Sequence, residues 1–140
     1  MKSHSFDEFS EESQSSGLTG YLIAFYLILI AYVSLTPFGS WYTPTQAPWT
    51  FLWQGWPKYF TRFDLAINFI AYLPFGLLLY AYCAPFSSRG RAIVVSIVCG
   101  MALSLTMEVL QGFLRDRISS NLDFLFNSLG CASGVLLSAW

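Results

Sequence analysis

Residues 92–140 read AIVVSIVCGMALSLTMEVLQGFLRDRISSNLDFLFNSLGCASGVLLSAW. An apolar run covers 92 to about 110, a short polar stretch follows at 112–121, and a second apolar run covers 122–140. A helix needs roughly 20 predominantly apolar residues to cross the hydrocarbon core, within a range of about 17–25. Both runs qualify, and the polar stretch between them is too short to be anything but a turn. Each run also carries polar side chains beside that turn: Glu108 and Gln111 in the first, Asp123 and Asn127 in the second.

Two further apolar runs lie upstream. One spans 18–35, holds no charged residue and stops at Ser34-Leu35-Thr36-Pro37, a helix-ending signal. The other spans 65 to about 86 and includes Asn68, Pro74 and Gly76; the proline predicts a kink. The fold class expected is an all-α membrane protein with four transmembrane helices. Composition agrees. Of 140 residues, 11% are charged and 55% belong to the hydrophobic set, against roughly 25% charged in an ordinary soluble domain. A net charge of −1 leaves no electrostatic footprint for nucleic acid, which excludes DNA and RNA as partners. Residues 1–17 form a polar acidic tail, with Asp7, Glu8, Glu11 and Glu12 against Lys2 alone. That is not the basic start of a signal peptide, so the tail reads as a flexible surface segment and the first run as uncleaved. Residues 18–140 then form one membrane domain.

The connection 39–63 contains Trp41, Trp49, Trp53 and Trp56, four of the five tryptophans. Trp49, Trp53, Trp56, Phe60 and Phe63 recur at steps of four and three, as on one face of a helix. Tryptophan favours the membrane–water interface, so this aromatic-rich segment is expected to lie on the bilayer surface. Gly55 and Pro57 argue against one unbroken helix.

Basic residues set the orientation. Lys2, Arg89 and Arg91 fall on one side, and Lys58, Arg62, Arg115 and Arg117 on the other. Arg115 and Arg117 neighbour Glu108, Asp116 and Asp123, where ion pairing within the protein would remove them from the count. The remainder places both termini in the cytoplasm.

Ionisable groups inside a span cost about 2.5–3.5 kcal/mol each on insertion scales and seldom face lipid. Ser104, Glu108, Gln111 and Arg115 follow helical spacing on one face of the third helix, and Asp123, Asn127, Gly130 and Gly134 on one face of the fourth. Asp64 and Asn68 open the second helix. Alternating topology brings the end of helix one, the start of two, the end of three and the start of four to the same membrane face. Asp64, Asn68, Glu108, Gln111, Arg115, Arg117, Asp123 and Asn127 can therefore converge in one polar cluster. Such a cluster in apolar walls is a candidate binding site. The same residues could instead be salt bridges and interhelical hydrogen bonds holding the bundle together. Gly130-x-x-x-Gly134 reads as close helix packing.

Cys83, Cys99 and Cys131 sit singly in apolar runs and read as small buried residues, not as a disulfide framework or zinc site. The one histidine, His4, lies in the tail. No metal or other cofactor is expected.

The run of Glu108-x-x-Gln111-x-Phe113, Arg117-x-Ser119, Asp123, Asn127 and Gly130 resembles the VanZ-like family, named after the teicoplanin resistance protein. Supporting matches are Ser34-Leu35-Thr36-Pro37-Phe38, Asp64 with Asn68-Phe69, and Tyr72 with Pro74-Phe75-Gly76. Where many relatives carry a histidine near the second helix, this chain has Asn68. The resemblance implies a small multi-pass protein of the bacterial plasma membrane with a link to glycopeptide resistance. It supplies no reaction. On this reading the partners are membrane lipids, including a lipid-linked cell-wall precursor whose head group binds the cluster, with Arg117 and Arg115 as donors to phosphate or carboxylate. The other readings are a proton-coupled transporter, an intramembrane enzyme using Asp64, Glu108 and Asp123 on a lipid, and a scaffold. Non-enzymatic binding is favoured over catalysis, because neighbouring arginines hold carboxylates in ionised structural roles.

Overall fold

The computed structural model describes residues 3–140, with side chains from Gly17 onward. Residues 3–17, expected as a flexible tail, instead continue α1 as helix. Among the described residues four α-helices follow one another: α1 (Ser3–Leu35), α2 (Arg62–Cys83), α3 (Arg89–Gln111) and α4 (Asn121–Ala139). All four are long and apolar enough to cross a membrane, α1 through its Gly17–Leu35 portion. The shortest spans have 19 residues; at 1.5 Å rise per residue these reach about 28 Å, close to the hydrocarbon thickness.

Small residues decide how the helices meet. A Cβ on Gly130 would strike the Phe69 carbonyl oxygen, and one on Gly134 the Leu73 carbonyl oxygen. From the other side, a Cβ on Gly76 would strike the Cys131 carbonyl oxygen. α2 and α4 thus touch backbone to backbone, the tightest packing in the bundle. Lipid tails are as apolar as leucine, so helices associate in a bilayer through such close packing and not by escaping solvent. α3 joins through Gly100, which faces the Cys131 sulfur. The core comprises Tyr72, Phe75, Leu79 and Tyr80 of α2, Ala92 and Met107 of α3, and Cys131 and Val135 of α4. Among its described side chains, α1 contributes only Ile30 to the buried set and leans on the bundle from outside. α2 remains helical through Pro74.

Two expectations need correcting. The aromatic connection forms no helical face beyond a short 3-10 helix, Thr50–Trp53. Gly55 and Pro57 dominate its tryptophan spacing, and only Phe51 is buried there while Trp49, Trp53 and Trp56 stay exposed. Cys99 is exposed on the outer surface of α3, whereas Cys131 is buried.

Candidate functional site

The helix ends at one face are tied together by side chains that satisfy unpaired backbone groups. A helix leaves its last four carbonyls and first four N–H groups without intrahelical partners. At the end of α1, Arg117 donates from Nε to the Thr36 carbonyl at 2.7 Å and from Nη2 to the Val33 carbonyl at 2.9 Å. Gln111 donates from Nε2 to the Ser34 carbonyl at 3.0 Å. A cation here also complements the negative end of the helix dipole. At the start of α4, Glu108 accepts the Ser120 N–H at 2.8 Å, and the Ser119 hydroxyl donates to the Glu108 carbonyl at 2.6 Å. Glu108 is 2% exposed. At the start of α2, Thr61 and Asp64 form a reciprocal capping box.

The two connections on this face are joined as well. Tyr42 N–H donates to the Phe113 carbonyl at 2.9 Å and Arg115 N–H to the Ser40 carbonyl at 3.3 Å. The Asn121 amide donates to the Gln54 carbonyl at 2.9 Å. The aromatic connection is thereby fixed over the helix ends.

Beneath it lies a cavity of about 550 Å³ between α1 and the other three helices. Asn68, Glu108, Gln111, Arg117, Asp123 and Asn127 all line it. The other two candidate residues do not. α3 ends at Gln111 with Gly112 as its C-cap, so Arg115 leaves the helical face; its guanidinium lies 5.7 Å from the centre of the Tyr42 ring. Asp64 is exposed and occupied by the α2 cap, facing a neighbouring hollow that Asp123 also lines. The ion pairing expected of Arg117 is replaced by its bonds to backbone carbonyls, because the α1 terminus reaches it.

Sequence reading missed Tyr72 and Asp116 as wall residues. Tyr72 lies one turn beyond Asn68 on the same face of α2, a signal that was available. Asp116 sits in the turn, where no periodicity applies. The walls carry three carboxyl groups (Glu108, Asp116, Asp123) and one guanidinium. Asn127 Oδ1 is buried without a hydrogen-bond partner, and the Tyr72 hydroxyl lies beside that of Ser104. Among the described residues, no three His, Cys, Asp or Glu side chains are grouped to hold a metal ion. Such a site can recognise a polar group brought against an apolar wall.

No curated protein and no solved structure significantly matches this chain. The VanZ/LLP1 family model matches residues 3–140. That range includes every helix and every residue lining the cavity, and the chain therefore belongs to the VanZ/LLP1 family as a multi-pass membrane protein.

Proposed function

We propose that this protein binds the head group of a cell-envelope lipid, a lipid-linked cell-wall precursor among the candidates, in the plasma membrane of a bacterium, and that this underlies a role in glycopeptide resistance. The observation that carries the reading is the cavity of about 550 Å³, with its polar groups gathered at one membrane face and apolar walls from α1 and α2. A lipid has that same division between polar head and apolar chain. With both termini cytoplasmic, the polar end faces outward, where the exposed tryptophans of the connection lie among head groups. A proton-coupled transporter needs a carboxylate reachable from both faces, and Glu108 lies one turn from the end of α3. That position favours binding over transport.

The test is teicoplanin and vancomycin susceptibility of a glycopeptide-sensitive host expressing wild type, Glu108→Gln or Asp123→Asn at equal membrane levels. Wild type is expected to raise the inhibitory teicoplanin concentration and both variants to lose that protection. Absence of protection by wild type refutes the resistance role; equal protection by all three refutes the cavity as its seat.

A further inference from the structure

We infer that the head group held in this cavity bears a protonated amine, on an amphiphile that enters sideways from the bilayer between α1 and α2. This rests on the head-group reading above and specifies its chemistry.

The side entrance follows from residues that line the cavity while remaining open to the surroundings. Leu29 and Val33 of α1 are 40% and 57% exposed, and Ile67 of α2 is 46% exposed. All three lie within membrane spans, so the gap they border faces lipid. Deeper in the membrane the gap is shut, where the Tyr26 hydroxyl donates to the Ala71 carbonyl at 2.9 Å. An apolar chain can lie in the gap while its head reaches the polar end.

The chemistry of that head follows from which donors and acceptors are already engaged. Arg117 is the one cationic side chain on the walls, and its Nε and Nη2 are held by α1 carbonyls. The Gln111 amide donates to α1 as well. Two of the five guanidinium N–H donors expected to receive a phosphate are thus turned toward the protein's own backbone. Acceptors remain in excess. Asn127 is 5% exposed and its Oδ1 has no partner. Tyr72 is 3% exposed and its hydroxyl lies beside that of Ser104, so Asn127 Oδ1 is the open acceptor on this wall. A buried polar atom without a partner is costly, and a ligand donor removes that cost. Charge points the same way. With Glu108, Asp116 and Asp123 against Arg117, the walls stay negative even when one carboxyl is protonated. An ammonium offers three donors, no acceptor and a positive charge. A phosphate offers acceptors and negative charge to walls already rich in both.

The experiment is native mass spectrometry of the full chain in detergent, titrated with three probes of equal chain length: hexadecylamine, hexadecanol and hexadecyl phosphate. The amine is expected to bind at least about tenfold more tightly than either other probe, the scale of one charge-assisted hydrogen bond. Asp123→Asn is expected to narrow that preference. Phosphate binding as tightly as the amine, or more tightly, overturns the amine assignment and leaves the cavity a head-group site of the opposite charge preference. Alcohol binding equal to the amine overturns the charge argument. Saturable binding of none of the three overturns the head-group reading itself. The wild-type comparison stands whether or not the variant folds.

Discussion

Replacing Arg117 with alanine removes both bonds that hold the end of α1. Hydrogen bonds from a charged donor contribute about 1.5–3 kcal/mol each when buried. The bond to Thr36 is partly buried and that to Val33 is exposed, which lowers the value to roughly 1 kcal/mol apiece. Loss of the cation at the helix terminus adds about 0.3–1 kcal/mol. The total is about 2–3 kcal/mol, a large part of a typical stability of about 5–15 kcal/mol. The loss is expected to be local, because only 6% of the membrane-spanning part of α1 is buried against 39% for α4. Hydrogen exchange in detergent micelles, read on the peptide ending at Leu35, is expected to accelerate roughly thirtyfold or more, from the same energy. The α2–α4 pair should keep its protection. Arg117→Lys retains the charge without the planar fork and should fall between. Exchange at the α1 terminus within about twofold of wild type would refute the capping role and return Arg117 to the ligand.

Gly134→Ala is expected to destabilise the bundle by about 1–3 kcal/mol, since its new Cβ meets the Leu73 backbone, which cannot rotate aside; unfolding in mixed micelles measures it, and a neutral result would mean α2 and α4 separate freely. Glu108→Ala leaves the Ser120 N–H at the start of α4 without its acceptor, at a cost of about 1–3 kcal/mol. Glu108→Gln keeps a carbonyl in place and should unfold at nearly the wild-type temperature; equal losses in both variants would show that the carboxylate's charge, not its acceptor, matters there.

The polar candidates divided according to whether helical periodicity still governed them. Glu108 and Gln111 lie on α3 proper, and Asn127 on α4, so their spacing transferred directly into the cavity. Arg115 was projected along a helix that had already ended at Gln111. A helical face extrapolated past its cap says nothing about direction, and the turn sends Arg115 over Tyr42. Asp64 was placed at the correct face, but position N3 of α2 let it cap its own helix. In the aromatic connection the two local signals conflict: the tryptophan spacing describes a helical face, and Gly55 and Pro57, which argue against an unbroken helix, prevail.

The amino-acid sequence by itself determined four spans, their alternation, the face at which polar residues gather and a close-packing glycine pair, Gly130 and Gly134, on the fourth. Those features depend on run length and on periodicity within a helix, both of which are local properties. Only the tertiary structure decided which groups each polar side chain serves. Arg117 bonds to carbonyls more than eighty positions earlier in the chain, and Glu108 to an N–H in the next helix. No local pattern encodes such partners, because a helix terminus accepts whichever donor or acceptor the packing of other helices brings within reach.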